Sequence, residues 1–415
     1  MDRRVLFASL ILFAGGATGV GVALFAFVGL DDATADAEVV WESEPVAGDD
    51  GTGAVVATMD GDPLVLQPTV EDGAPTIRAT AVGGDVEWRT GVGGADGDTG
   101  DTGDGNGTDP PATSGLAAGE LGGDEVVAFT TEAGSLVVID PTDGTERFAV
   151  DLGGSGGLRP AIGDLDGDGD GEVAAVTTDG RVRAVDAGGE TVFETDLDAS
   201  VKRRPLAVDF GGAGGDAVRG LAVATAVDGE RSISLLDASG EVRWTTTPSV
   251  TPLSWSAADT RSGPVLALGG ANGNLETLDV ADGGSRYEVG LQDEPVTVGD
   301  ADPGRVYVGG SGSVWAVDLL DGEVVWKQQY GGDTRVNAPG VADVDGDGSP
   351  GPVAVNQNGG VLALNQNGEA IARGDIGGPS GAVVYAGPLF ADATGDGTAE
   401  VLVVAEDGRI VALSD

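Results

Sequence analysis

The sequence predicts an all-β fold built from many short strands, and three observations carry that prediction. Glycine is frequent (74 of 415 residues) and aromatic residues are scarce (5%), which suits strands joined by tight turns better than helices. Short runs alternate apolar and polar residues, as in Arg181–Val185, and Asp179-Gly180 before that run is a hairpin signal. The same unit recurs along the chain, so we expect a repeat architecture.

The clearest unit is organised around an acidic loop. Carboxylates stand at alternate positions of this loop, with Gly169 at its sixth position. Such a loop folds around one hard cation, because the alternate side chains and one backbone carbonyl point at a common centre. The sequence therefore predicts a calcium site, whose seventh-position ligand is a carbonyl. Its ligands are Asp164, Asp166, Asp168, Asp170 and Glu172.

Two further loops repeat the spacing less completely. One lacks an oxygen at the ninth position, which is Gly351, and the other has a threonine at its third. The flanks are strands and the twelfth position is apolar, so none of the three loops is an EF-hand. The alternative is that all three are ordinary Asp-Gly turns in an acidic protein. The additional candidate ligands are Asp343, Asp345, Asp347 and Ser349 in one loop, and Asp392, Thr394, Asp396, Thr398 and Glu400 in the other.

A second pattern gives the number of units. Its best copy is Gly312–Trp326, in which a strand ending in Asp318 is followed by a glycine turn and a strand carrying an aromatic residue. The aromatic position returns at intervals of about 40 to 45 residues, the period of a β-propeller with four strands per blade. We therefore expect eight blades, with seven as the alternative because the first copy is degenerate.

The two ends of the chain predict how the ring closes. Residues 408–414 read as the third strand of a last blade, and the chain ends before a fourth. Ala37–Trp41 is nearly identical to Gly322–Trp326, a fourth strand. An N-terminal strand would thus complete the last blade and remove its open edge. The propeller is expected over residues 37–415, with 91–115 a flexible, acidic, glycine-rich insertion.

These motifs resemble two known repeat families. The pattern of Gly312–Trp326 is similar to the quinoprotein-type (PQQ-like) propeller repeat, and the acidic loops look like the calcium loops of FG-GAP/VCBS repeats in integrin-type propellers. The resemblance implies a propeller with calcium between the first and second strands of some blades. It does not imply redox activity, because quinone dehydrogenases add a histidine base or a cysteine pair, and this chain has neither residue.

Charge excludes several partners. Asp and Glu number 69 against 21 Lys and Arg, a net charge of −48. Nucleic acid and anionic lipid would both be repelled. The surplus of acidic over basic residues resembles that of proteins from salt-loving archaea, in which an acidic surface maintains solubility. The only basic run after the N-terminus is Lys202–Arg204, which is either a docking point or a solvated loop.

The N-terminus predicts a membrane anchor. Residues 5–30 are uncharged and apolar, and about 26 residues at 1.5 Å each cross a ~30 Å hydrocarbon layer with tilt. Arg3 and Arg4 precede this run, which places residues 1–4 in the cytoplasm and the body outside the cell. Residues 31–36 would be a linker. A cleaved signal peptide is the alternative.

These expectations define a function. We expect a single-pass membrane protein whose monomeric extracellular propeller is a non-catalytic binding or scaffold module for a protein or a surface glycan. Calcium is the expected cofactor and pyrroloquinoline quinone is not. The alternatives are a quinone-dependent oxidoreductase and a scaffold similar to the propeller lipoprotein of outer-membrane assembly. The repeat tryptophans are expected to pack between blades and not to bind a ligand: Trp41, Trp88, Trp244 and Trp326.

Overall fold

The computed structural model describes residues 35–46, 53–59, 61–92, 113–210, 218–302, 304–330, 334–376 and 383–414. The predicted anchor, residues 5–30, and most of the predicted insertion lie outside these ranges. Within them every regular element is a β-strand, and no helix has the length and apolarity needed to span a bilayer.

The strands form eight sheets, the blades of a propeller, and every strand pairing but one in the described ranges is antiparallel. Two short strands at the N-terminus, β1 (Ala35–Asp36) and β2 (Glu38–Glu42), join the last two blades. The first four blades follow in order along the chain. Their strands are β3 (Val55–Met59), β4 (Asp62–Glu71), β5 (Ala74–Ala81) and β6 (Val86–Gly91); β7 (Ala117–Leu121), β8 (Asp124–Thr130), β9 (Ser135–Ile139) and β10 (Glu146–Asp151); β11 (Ala161–Gly163), β12 (Glu172–Val176), β13 (Arg181–Val185) and β14 (Thr191–Asp196); and β15 (Ser200–Val201), β16 (Leu206–Phe210), β17 (Val218–Val227), β18 (Glu230–Leu236) and β19 (Val242–Thr246).

The last four blades repeat this arrangement, except that blade 8 takes its fourth strand from the N-terminus. Their strands are β20 (Pro252–Ala258), β21 (Val265–Gly270), β22 (Asn274–Asp279) and β23 (Ser285–Gly290); β24 (Thr297–Asp302), β25 (Arg305–Gly309), β26 (Ser313–Asp318) and β27 (Val324–Gln329); β28 (Gly340–Ala342), β29 (Gly351–Val355), β30 (Gly360–Leu364) and β31 (Ala370–Asp375); and β32 (Leu389–Ala391), β33 (Glu400–Val404) and β34 (Ile410–Ser414).

The first strand of each blade lies at the centre of the ring. From blade 1 to blade 7 these strands contact one another in turn, and β3 of blade 1 also contacts β32 of blade 8. Because successive strands of a blade are antiparallel, the connections between strands one and two and between strands three and four open on one face of the ring. We call this the acidic-loop face, and the opposite one, with the second hairpin of each blade and the blade-to-blade connections, the hairpin face.

The hydrophobic core is divided among the interfaces between blades. In β12, Val173 and Ala175 pack toward blade 2, whereas Ala174 and Val176 pack toward blade 4. The two-residue period of a strand therefore buries both of its faces, one against each neighbour. Within the described ranges, every pair of adjacent blades shares such a cluster, including blades 8 and 1.

The predicted closure is confirmed. Strand β2 pairs antiparallel with β34, with Glu38 opposite Ser414 and Glu42 opposite Val411. The prediction of a linker at residues 31–36 was wrong at its end, because Ala35 and Asp36 form β1, which pairs in parallel with β31 of blade 7. The N-terminal strands thus hold blades 7 and 8 together.

The repeat tryptophans pack between blades, as predicted. Trp88 lies against Gly144 of the next blade, and its indole N–H donates to the carbonyl of Pro141 at 3.0 Å. Trp244 makes the equivalent contacts with Gly283 and with the carbonyl of Val280, at 2.8 Å. Each ring therefore fastens the outer strand of one blade to a turn of the next.

Candidate metal centre

All three acidic loops occupy the same place in their blades. Each connects the short first strand to the second strand, and the two strands pair immediately before and after the loop. The flanking pairs are Gly163 with Glu172, Ala342 with Gly351, and Ala391 with Glu400. The three loops therefore have equal length and lie on the acidic-loop face, as the sequence predicted.

The first loop brings three carboxylates together. Oxygens of Asp164, Asp166 and Glu172 all lie within 4.8 Å of one another. Glu172 is 3% exposed, and its Oε2 accepts a hydrogen bond from the backbone N–H of Leu165 at 2.7 Å. Burial, together with the neighbouring charges of Asp166, Asp168 and Asp164, raises the pKa of Glu172 to about 7. This cluster has an excess of negative charge that a cation would neutralise.

The remaining carboxylates of the first loop contribute less. Asp168 and Asp170 are exposed and are not among the converging groups. Asp168 instead accepts the backbone N–H of Asp170 at 2.9 Å, a hydrogen bond within the turn. This loop thus contains three converged carboxylates and two that face solvent.

The sequence analysis missed an arginine beside this loop. Nε of Arg219, on β17 of blade 4, lies 3.4 Å from Oδ2 of Asp164 and 2.7 Å from Oδ1 of Asp209. Asp209 lies in strand β16 and orients this arginine. Only the adjacency of blades 3 and 4 brings these residues together, so no local motif could have revealed them.

The second loop also converges. Oxygens of Asp343, Asp345 and Asp347 lie within 4.8 Å of one another. Oδ2 of Asp343 accepts the backbone N–H of Gly348 at 2.9 Å, whereas its buried Oδ1 has no hydrogen-bond partner among the described residues. Burial, together with the charges of Asp347 and Asp343, raises the pKa of Asp345. An unpaired buried carboxylate oxygen within such a cluster fits a bound cation.

Ser349 takes no part in this convergence. Its backbone N–H donates to Oδ1 of Asp347 at 2.7 Å, which places it in the turn. Because the ninth position is Gly351, the second loop has no counterpart of Glu172.

In the third loop, the carboxylates accept hydrogen bonds from the loop itself. Glu400 is 1% exposed, and it accepts hydrogen bonds from the backbone of Ala393 and Thr394 and from the Thr394 hydroxyl. Asp392 accepts the N–H groups of Gly395 and Gly397, and Asp396 accepts that of Thr398. These carboxylates are not among the converging groups of the described residues, so we leave this loop out of the proposed metal sites.

Two further acidic residues stand close together in blade 6. Asp300 and Asp302 lie within strand β24. Oδ2 of Asp302 accepts a hydrogen bond from the hydroxyl of the buried Tyr307 at 2.6 Å. Burial, together with this pairing, raises the pKa of Tyr307. Asp302 therefore has a structural role.

The converged oxygens suit a hard cation. Calcium accepts six to eight oxygen ligands in flexible geometry, including carboxylates, carbonyls and water. Both loops supply three carboxylates each, and their turns leave the outer side open to solvent. The donor set contains no histidine or cysteine, because the chain has none. The chemistry of both loops fits calcium better than a transition metal.

Comparisons with known proteins agree with this fold. A PQQ-type repeat family, described as outer membrane protein assembly factor BamB, matches residues 229–415. BamB from Moraxella catarrhalis is similar in structure at 18% identity, with a TM-score of 0.57, 92% of this chain covered and 98% of that one. No curated protein sequence matches the chain.

Two other propellers are similar in structure. Saccharomyces cerevisiae Sqt1 has 13% identity and a TM-score of 0.63, with 90% of this chain covered and 99% of that one. BBS1N, solved in complex with ARL6DN, has 14% identity and a TM-score of 0.52, with 72% and 91% covered. At these identities the likeness shows the propeller fold alone, whereas the eight blades and the closing N-terminal strand are seen in the chain's own sheets.

Proposed function

We propose that this protein is a non-catalytic propeller that binds a partner protein or organises a surface assembly. The observation that carries the proposal is the closed ring itself, which presents two loop-rich faces on a scaffold held by clusters between all its blades. The converged side chains of its loops are carboxylates suited to holding a cation. A quinone-dependent enzyme of the histidine-base or cysteine-pair type would need residues that the chain lacks.

The relatives support a binding role. The matching family is described as outer membrane protein assembly factor BamB, and BBS1N is a propeller solved in complex with ARL6DN. We propose that the present chain likewise uses its loop faces to contact a protein.

We further propose that the body is held at the outside of the cell membrane by residues 5–30. The support is the long uncharged segment preceded by Arg3 and Arg4 and followed by Asp31 and Asp32. The propeller would then act as a monomer in an extracellular assembly.

We also propose that two of the acidic loops bind calcium. The first and second acidic loops would hold it through Asp164, Asp166 and Glu172 and through Asp343, Asp345 and Asp347. The cation would relieve repulsion between clustered carboxylates and hold each loop in place. Because it would bind only the folded form, calcium should raise the melting temperature and a chelator should lower it, as measured by calorimetry.

Affinity capture tests the binding role. The full chain, carrying a C-terminal tag, is recovered from native membranes at high salt, with untagged cells as the control. We expect one protein to be recovered reproducibly in amounts comparable to the bait. Recovery that disappears after glycosidase treatment would instead indicate a glycan partner. No reproducible partner, together with pyrroloquinoline quinone retained through gel filtration, would contradict the proposal and favour the oxidoreductase.

A further inference from the structure

A basic pocket opens on the hairpin face between blades 4 and 5. Its volume is about 230 Å³, and it lies between the β17–β18 hairpin and the two connections that enter blades 4 and 5. Strand β16 pairs only with Val218–Ala222 of β17. The β17–β18 hairpin extends beyond this pairing, and the outer part of the hairpin forms a wall of the pocket. The lining residues include Lys202, Arg203, Ala226, Arg231, Pro248 and Pro252.

Three cations line this pocket in a chain of net charge −48. Lys202 and Arg231 are exposed and Arg203 is half-buried. None of the three forms a salt bridge with a carboxylate of the described residues, although seven other cations of the chain do. Arg203 donates to two backbone carbonyls, those of Pro252 and Lys202. These cations concentrate positive potential at one place, which attracts an anionic group.

The rest of the lining is apolar or hydroxylic. Ala224, Ala226, Pro248 and Pro252 form an apolar floor. A bare inorganic anion would leave this floor uncovered. A peptide that carries a carboxylate beside a small apolar side chain would satisfy both parts of the lining.

We propose that this pocket binds an acidic peptide segment of the partner protein, with a carboxylate between Lys202, Arg203 and Arg231 and an apolar side chain on the floor. The inference rests on the proposed binding function and adds a location and a partner chemistry to it. Arginine and lysine stabilise a carboxylate by charge-assisted hydrogen bonds, whereas the net charge of −48 disfavours anions near the rest of the molecule in general.

Peptide binding to the full chain tests the proposal. The probe is a short labelled peptide that alternates glutamate with valine, and fluorescence anisotropy measures its affinity. We expect binding that weakens with added salt, at least tenfold weaker binding of the glutamine counterpart, and little displacement by inorganic phosphate. Complete displacement by equimolar phosphate would overturn the peptide assignment.

Paired variants locate the site. Lys202→Gln with Arg231→Gln should weaken the peptide at least tenfold, and Lys202→Arg with Arg231→Lys should restore most of the affinity. The control is Arg243→Gln with Arg261→Gln, which removes the same charge from exposed residues outside the lining and should change affinity less than twofold. Equal affinities of the two glutamine variants, both melting like the parent, would overturn the location.

The same variants separate this inference from the proposed function. If the Lys202→Gln, Arg231→Gln chain still captures the native partner as well as the parent does, the partner binds elsewhere and only the pocket is contradicted. If the parent captures no partner yet binds the peptide, the peptide-binding pocket is supported and the proposed scaffold function is contradicted.

Discussion

At the scale of single residues, the contact that repeats most regularly is between a glycine and an aromatic ring. The glycine lies in the turn between the third and fourth strands of a blade. Gly144, Gly283 and Gly368 have φ values of +73°, +73° and +81°, and each receives a tryptophan ring from the preceding blade. Two constraints favour glycine at this position: its backbone is left-handed, and the nearby ring leaves no space for a Cβ atom.

Gly283→Ala should therefore destabilise the fold by two effects. Its new Cβ would lie 2.6 Å from Cε3 of Trp244, so overpacking of about 1–3 kcal/mol adds to backbone strain of about 1 kcal/mol. The matched control is Gly73→Ala, with a φ of +80° and no neighbour within 4 Å of the added Cβ. Chemical denaturation should show the larger loss for Gly283→Ala; equal losses would mean that the ring contact is unimportant.

The carboxylates of the acidic loops give a second prediction at this scale. Asp166→Asn with Asp345→Asn removes one charge from each converged set and should abolish most of the calcium-dependent rise in melting temperature. Ligand binding to the folded form is worth about 2.7 kcal/mol at a hundredfold excess over Kd, so the effect is measurable by calorimetry.

The melting temperatures should be measured in high monovalent salt, because salt screens nonspecific charge effects. The control is Glu87→Gln with Glu132→Gln, which removes two charges from exposed side chains outside the loops and should keep the parent response. If both pairs of variants respond to calcium as the parent does, the loops are ordinary acidic turns.

At the scale of elements, the N-terminal strands decide whether the ring is closed. Strand β2 completes blade 8, and Arg409 and Glu42 reinforce the pairing with a salt bridge of 2.6 Å. Strand β1 lies on β31 of blade 7. Blade 7 carries Ile371 where the seven other blades have an aromatic residue. Its neighbour, blade 8, is made from both chain ends and has no continuous turn between its third and fourth strands to receive a ring.

A body that starts at Glu44 should lose this closure, because β34 would then be an open sheet edge. We expect a broader, less cooperative melting transition and aggregation, whereas a body that starts at Ala35 retains both N-terminal strands and should melt like the whole chain. Circular dichroism and light scattering measure both properties. Identical melting of the two bodies would show that β2 is dispensable.

At the scale of the whole molecule, charge is divided between the two faces of the ring. The converged carboxylates lie on the acidic-loop face, and the cations Lys202, Arg203 and Arg231 line a pocket on the hairpin face. The molecule therefore presents chemically different surfaces in two directions. Under the proposals made above, one face would hold cations and the other would bind an acidic partner.

The proposed anchoring predicts that the propeller is accessible from outside the cell. Protease added to intact cells should digest the body under conditions that leave a cytoplasmic marker protein intact. Detergent should then make the marker sensitive as well, which controls for protease activity. A body that stays protected until detergent is added would contradict an extracellular location.

The all-β class, the number of blades and the closing strand followed from the sequence alone, because strand alternation, Asp-Gly turns and repeat spacing are local properties of the chain. The three acidic loops were located for the same reason. Their chemistry depended on the tertiary structure, which brings Asp164 to Glu172 and leaves Asp168 in solvent. The path of each loop and its hydrogen bonds, which spacing does not determine, decide which oxygens converge. Arg219 and the basic pocket became visible only in the folded ring, because residues from separate blades meet where those blades pack together.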